Sequence, residues 1–137
     1  MIRQFKNSRG ISRKDMPQIH KSKSVSFCCW LQTKFNVKST FMNFRVFRIK
    51  PTQSEYNQEK VLEKMDEGLE NIKKPFIITM DGYLLDGHHS YKAIMNIDQS
   101  TVVDVIRVQT TIESLIEHAK QYEHSYTKDI NDNQINV

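Results

Sequence analysis

The run from Phe76 to Ile97, "FIITMDGYLLDGHHSYKAIMNI", constrains the fold more than any other part of the chain. Phe76 to Thr79 and Tyr83 to Leu85 are two short apolar segments. Met80-Asp81-Gly82 between them is a turn signal, so the pair reads as a hairpin. A helical pattern resumes afterwards, with Tyr91, Ala93, Ile94 and Ile97 on one side. Strand, tight corner and helix start are thus forced together at Asp86-Gly87-His88-His89-Ser90. Such a corner gathers backbone N–H groups and the positive end of a helix dipole, which suits an anion such as phosphate. Histidines there can donate to phosphate oxygens or carry a proton near neutral pH, and Asp86 can orient an imidazole, ligate a metal or cap the helix. The bland alternative is an Asp-Gly turn with a solvated histidine pair.

The flanking segments supply more elements. "SVSFCCWLQTKFNV" fits either a short strand or one helix burying Phe27, Trp30, Leu31 and Phe35, and periodicity does not decide between them. "FMNFRVFRIK" alternates as a strand that ends at Pro51. "PTQSEYNQEKVLEKMDEGLENI" is a helix with Thr52 or Ser54 as cap and Val61, Leu62, Met65 and Leu69 as its apolar stripe. Gly68 and "NIKKP" stop it. "STVVDVIRVQ" is a β-branched strand, and "TIESLIEHAKQY" is an amphipathic helix with Ile112, Leu115, Ile116 and Ala119 inward. Strands and helices mixed in this order predict an α+β fold on one mixed sheet. The expected organisation is a basic arm over residues 1–24, a domain over 25–122 and a frayed polar tail over 123–137.

At 137 residues the chain is one domain's worth. Its 38% hydrophobic and 26% charged residues are ordinary for a globular protein, and no apolar run approaches the roughly 20 residues of a membrane span. "MIRQFKNSRG" lacks the apolar stretch of a signal peptide, so the expected location is the cytoplasm, the host's if the protein is viral. The net charge is +4, with Arg3, Lys6, Arg9, Arg13, Lys14, Lys21 and Lys23 concentrated early. That asymmetry suits a polyanion or a nucleotide phosphate, a solvated arm being the alternative. Cys28 and Cys29 are adjacent, cannot form an ordinary bridge with each other, and show no zinc spacing. His20, His118 and His124 read as isolated surface residues, Trp30 as core. "FRVFRIK" reads as a solvated strand face, with contact to a nucleic-acid backbone as the alternative.

"FIITMDGYLLDGHHSYKAI" and the upstream "RIKPTQSEYNQEKV" resemble the ParB/sulfiredoxin superfamily, in which a hairpin ends in a "DGHHR"-type phosphate motif after a strand-Pro-x-Gln-helix element. The resemblance covers about residues 43–107, and "RGISRKDMPQI" is similar to the leader of small phage members. It implies a compact α+β domain that binds nucleotides or phosphate-bearing substrates. Residue by residue, it implies that Gly87, His88, His89 and Ser90 hold phosphate with Gln53 nearby. Asp86, His88, His89 and Glu55 become catalytic candidates, and Asp86 the candidate ligand for Mg²⁺ or another divalent metal. Arg9, Arg13 and Lys14 are candidate nucleic-acid contacts. Sulfiredoxin chemistry is disfavoured because His88 stands where the reactive Cys belongs, and chromosome partitioning because the chain is too short for the helix-turn-helix domain that follows in those proteins.

The expected function is a metal-assisted, DNA-directed nuclease or NTP-hydrolysing enzyme, with nucleic acid or a nucleotide such as ATP as partner. One alternative is a kinase of a small hydroxyl substrate with Glu55 as base. Another is a catalytically reduced binding module or inhibitor with a protein partner. Ser90 replaces the family's Arg and removes a bidentate phosphate ligand. Arg13, Lys14 and Lys92 are the cations that can replace it. Glu55 has a structural alternative too, as a first-turn acid favourable to the helix dipole.

Overall fold

A computed structural model describes residues 1–72 and 75–135. The strands are β1 (Ile2–Gln4), β2 (Gln18–Ile19), β3 (Ser39–Arg45), β4 (Glu55–Asn57), β5 (Phe76–Thr79), β6 (Val102–Val108) and β7 (Ser125–Tyr126). The α-helices are α1 (Ser24–Phe35), α2 (Gln58–Glu67), α3 (His88–Ile97) and α4 (Ile112–Lys120). The central sheet has the order β3-β6-β5, antiparallel between β3 and β6 and parallel between β5 and β6. Two small antiparallel pairs, β1 with β4 and β2 with β7, flank it. The fold is α+β, as the element order predicts, but its described strands form three sheets rather than the expected one.

Strand parity explains the core. On β5 and β6, Ile77, Ile106 and Val108 face one way and pack with Phe27 and Leu31 of α1 and Ile112, Leu115 and Ala119 of α4. Phe76, Ile78 and Val105 face the other way, against Tyr91 and Ile94 of α3 with Val46 and Ile49. All four residues of β5 are buried, so it reads as an unbroken apolar run because both of its faces are covered. Tyr56, Val61 and Ala93 join α2 to α3.

Several sequence expectations are corrected. "SVSFCCWLQTKF" is a helix; it buries Phe27 and Leu31 fully, while Trp30 and Phe35 are half-buried. Cys28 is buried, its thiol pushed up to about 12 by burial and then by Cys29, and Cys29 is exposed. β3 starts at Ser39 and gives way at Val46 to a 3₁₀ turn, Val46–Arg48, so the alternation stops before Pro51. Neither Thr52 nor Ser54 caps α2; Asn57 does, its side chain accepting from the Glu59 amide at 3.1 Å. Leu62 is exposed, because only Val61 on that helix is fully buried. Ile97 is also exposed. The "NIKKP" stop signal lies partly outside the described residues; Gly68 closes α2 as expected.

The hairpin after β5 is tight but its second limb is no full strand. The Thr79 amide bonds the Tyr83 carbonyl (2.9 Å), the Leu85 amide bonds the Ile77 carbonyl (2.9 Å), and Tyr83 also bridges to Lys50. Nor are the described ends frayed; residues 136 and 137 of the expected tail lie outside the described residues. β1 pairs with β4, β7 pairs with β2, and the segment after β7 folds back over Arg13 and Asn57. Among the described residues no helix is long and apolar enough to cross a membrane.

Candidate functional site

At the corner Gly87 has φ +85° and precedes the first turn of α3. A Cβ there would lie 3.1 Å from the ring of Phe76, which is itself buried, so glycine is required both by the backbone and by space. Asp86 is fully buried, and its Oδ2 accepts the Ile19 amide at 2.8 Å, pinning β2 to the corner.

The two histidines bind backbone. His88 Nε2 accepts from the amides of Thr52 (3.0 Å) and Gln53 (3.1 Å), and His89 Nε2 accepts from the Asn57 amide (2.9 Å). An Nε2 that accepts leaves the proton on Nδ1, so both rings are neutral Nδ1–H tautomers. Electrostatics agree: burial, then the Arg13 charge, holds His89 down to about 4 and His88 well below the ordinary histidine value. The imidazoles therefore bracket the segment Thr52–Asn57 onto α3. The Nδ1–H of His88 is buried and meets no acceptor among the described residues.

Around these rings lies a cavity of about 300 Å³. Its floor is the first turn of α3, Gly87 to Ser90, whose leading amides helical geometry leaves without intrahelical acceptors. Arg13, Lys60, Lys64 and Lys128 line it, as do Tyr126, Glu63, Glu67 and Asp132. Arg13 is buried and braced on three sides, donating to Gln53 Oε1 (3.2 Å), Asp132 Oδ1 (2.8 Å) and the Asp129 carbonyl (3.2 Å). Lys60 Nζ also reaches Asp132, at 2.6 Å. Burial raises the Asp132 carboxyl, but Lys60 and Arg13 outweigh it and leave it below the usual range.

The candidates divide accordingly. Gly87, His88, His89, Ser90 and Arg13 meet at the cavity. Ser90 lies in the first turn of α3. Gln53 and Glu55 do not line it. Gln53 is buried and holds Arg13 while donating to the Glu55 carbonyl. Glu55 accepts from the Arg13 amide (2.8 Å), the Ser12 hydroxyl (3.3 Å) and the Ser54 hydroxyl (2.7 Å). Partial burial raises its carboxyl, and these donors with the Arg13 charge outweigh that and lower it. Arg9 pairs with Glu113 and lies over Tyr83, and Lys14 faces solvent elsewhere. Lys92 lies over the Tyr56 ring. Of Arg13, Lys14 and Lys92, Arg13 is the one at the cavity.

Asp86 is a poor fit as a metal ligand. One of its oxygens is committed to Ile19, and among the described residues no three His, Cys, Asp or Glu side chains converge. The carboxylates that reach the cavity are Glu63, Glu67 and Asp132, the last already paired with two cations.

Sequence reasoning missed Lys60, Lys64, Tyr126, Lys128 and Asp132. Lys60 and Lys64 carried a signal, since a spacing of four sets them on one face of α2. Comparison with protein-family models, with curated proteins and with solved structures returned no match.

Proposed function

We propose that the protein binds a phosphate-bearing ligand, a nucleotide in the first instance, at the amino end of α3, as a binding domain of ParB/sulfiredoxin type. The observation that carries this is a cavity that gathers the leading amides of α3, Arg13 and three lysines. Arg13 suits it, a guanidinium lining the cavity and held in place by Gln53 and Asp132. A volume of about 300 Å³ takes a phosphate and part of the group that carries it.

Binding is favoured over turnover because the bases that the sequence names are engaged. Both Nε2 atoms accept backbone N–H groups, and the Glu55 carboxylate is engaged by three donors. Hydrolysis or kinase chemistry needs a group free to take a proton from water or an alcohol. Magnesium enters this reading only as the counter-ion of a nucleotide's phosphates.

Titration calorimetry with ATP, ADP, CTP and inorganic phosphate, each with and without magnesium, tests the proposal. Removing Lys64 and Lys128 together should weaken phosphate and nucleotide about ten-fold or more, the loss of about 1.4 kcal/mol of charge-assisted contact. Wild-type protein that takes up no phosphate compound at millimolar concentration, or binding untouched in the double variant, would overturn it.

A further inference from the structure

A second surface, separate from the α3 cavity, runs along β3, an edge strand of the central sheet. It is a groove of about 850 Å³ between β3, the 3₁₀ turn after it, the turn after β5 and Arg107 of β6. Four cations line it, Arg45, Arg48, Lys50 and Arg107, against a single acid, Asp81. None of the four has an ion-pair partner among the described residues. Arg45 and Arg107 are instead held by the carbonyls of Ser100 and Met80, which leaves their charge unneutralised.

Apolar side chains stand between these charges. Phe47 is 52% exposed, Met80 41% and Met42 37%. Phe44 carries the Arg48 guanidinium over its ring, 5.3 Å from centroid to carbon. A solvated strand face, the reading the sequence invites, has no reason to keep Phe47, Met42 and Met80 in water beside unpaired cations.

We infer that this groove binds single-stranded nucleic acid, the cations tracking phosphates and Phe47 with the Phe44–Arg48 stack offering faces to unstacked bases. Alternating cations and flat apolar groups are what a single strand needs, because charges and ring faces are both exposed on it. A duplex hides its base faces and would set its backbone against Phe47. A second copy docked here about a two-fold axis would meet the groove with the same four cations. The inference does not depend on what the α3 cavity holds.

Fluorescence anisotropy with the full chain tests it, using labelled dT, rU and duplex oligomers of roughly 12 nucleotides. Single strands should bind in preference to duplex, and the ratio of dT to rU separates DNA from RNA as the ligand. Arg45→Ala with Arg48→Ala should weaken binding at least about ten-fold and flatten the salt slope by roughly 1.4, two phosphate contacts on a single strand. Phe47→Ala should cost about five-fold or more and Phe47→Trp should restore it. These side chains are exposed, so circular dichroism melting should be unchanged. A 4-thiouracil crosslink should map to Phe44–Arg48 or Met80. No binding at low salt, preference for duplex, variants equal to wild type, or a crosslink at Tyr126 would each overturn the inference. So would self-association abolished by the same substitutions without any oligonucleotide binding.

Discussion

His89 shows how a single side chain sets a solution property. Its ring is neutral in the fold because Nε2 accepts the Asn57 amide and burial lowers its pKa to about 4, against 6.5 when unfolded. The unfolded chain therefore takes up a proton between those two values and the folded chain does not, so stability must fall as pH drops through that window. At pH 5 the loss relative to pH 8 should be on the order of 2 kcal/mol from this ring alone, with His88 adding in the same direction. Glu55 and Asp132 are carboxylates with lowered values, and their contribution is lost only at lower pH. Urea unfolding at the two pH values checks this; His89→Gln should flatten the dependence, and an equally steep one would refute the assignment.

The corner between the hairpin and α3 is the element that everything else positions. Gly87→Ala places a methyl group 3.1 Å from the Phe76 ring at a backbone angle that L residues rarely adopt, so it should destabilise by about 1–3 kcal/mol, read as a lower urea midpoint. Gly10→Ala isolates the steric part, since Gly10 shares a positive φ (+75°) but nothing lies within 4 Å of its added Cβ. This corner was legible in the sequence because a strand, a tight turn and a helix start each leave a local mark. β6 and α4 were legible for the same reason, one β-branched and the other amphipathic. The cap of α2 was not. Thr52 and Ser54 have the right chemistry, but the Thr52 amide is claimed by His88 from 36 residues away, and β4 intervenes before the helix begins. The roles of the two histidines were hidden likewise, since a ring that accepts backbone amides looks in sequence like one that waits for phosphate.

At the scale of the whole molecule the ends of the chain complete the site. Arg13, which the sequence placed on a basic arm as a candidate phosphate contact, is buried, and the polar segment around Asp132 is its counter-charge. Neither was visible beforehand, because no local pattern links residues so far apart. Asp132→Ala should lower stability by roughly 1–3 kcal/mol, since it strips a partner from a buried guanidinium. It should also tighten phosphate binding, since it releases Arg13 and Lys60 from an internal carboxylate. Urea midpoints and calorimetry on one variant thus read two changes of opposite sign; weaker phosphate binding would show that Asp132 shapes the cavity rather than competing for it. The Arg13 contacts to Asp129 and Asp132 span 116 and 119 positions. Closing loops that long costs chain entropy with no local reward, so the cavity should form late, after the sheet has brought the two ends within reach. A folding intermediate with its central sheet already in place would still lack the pocket.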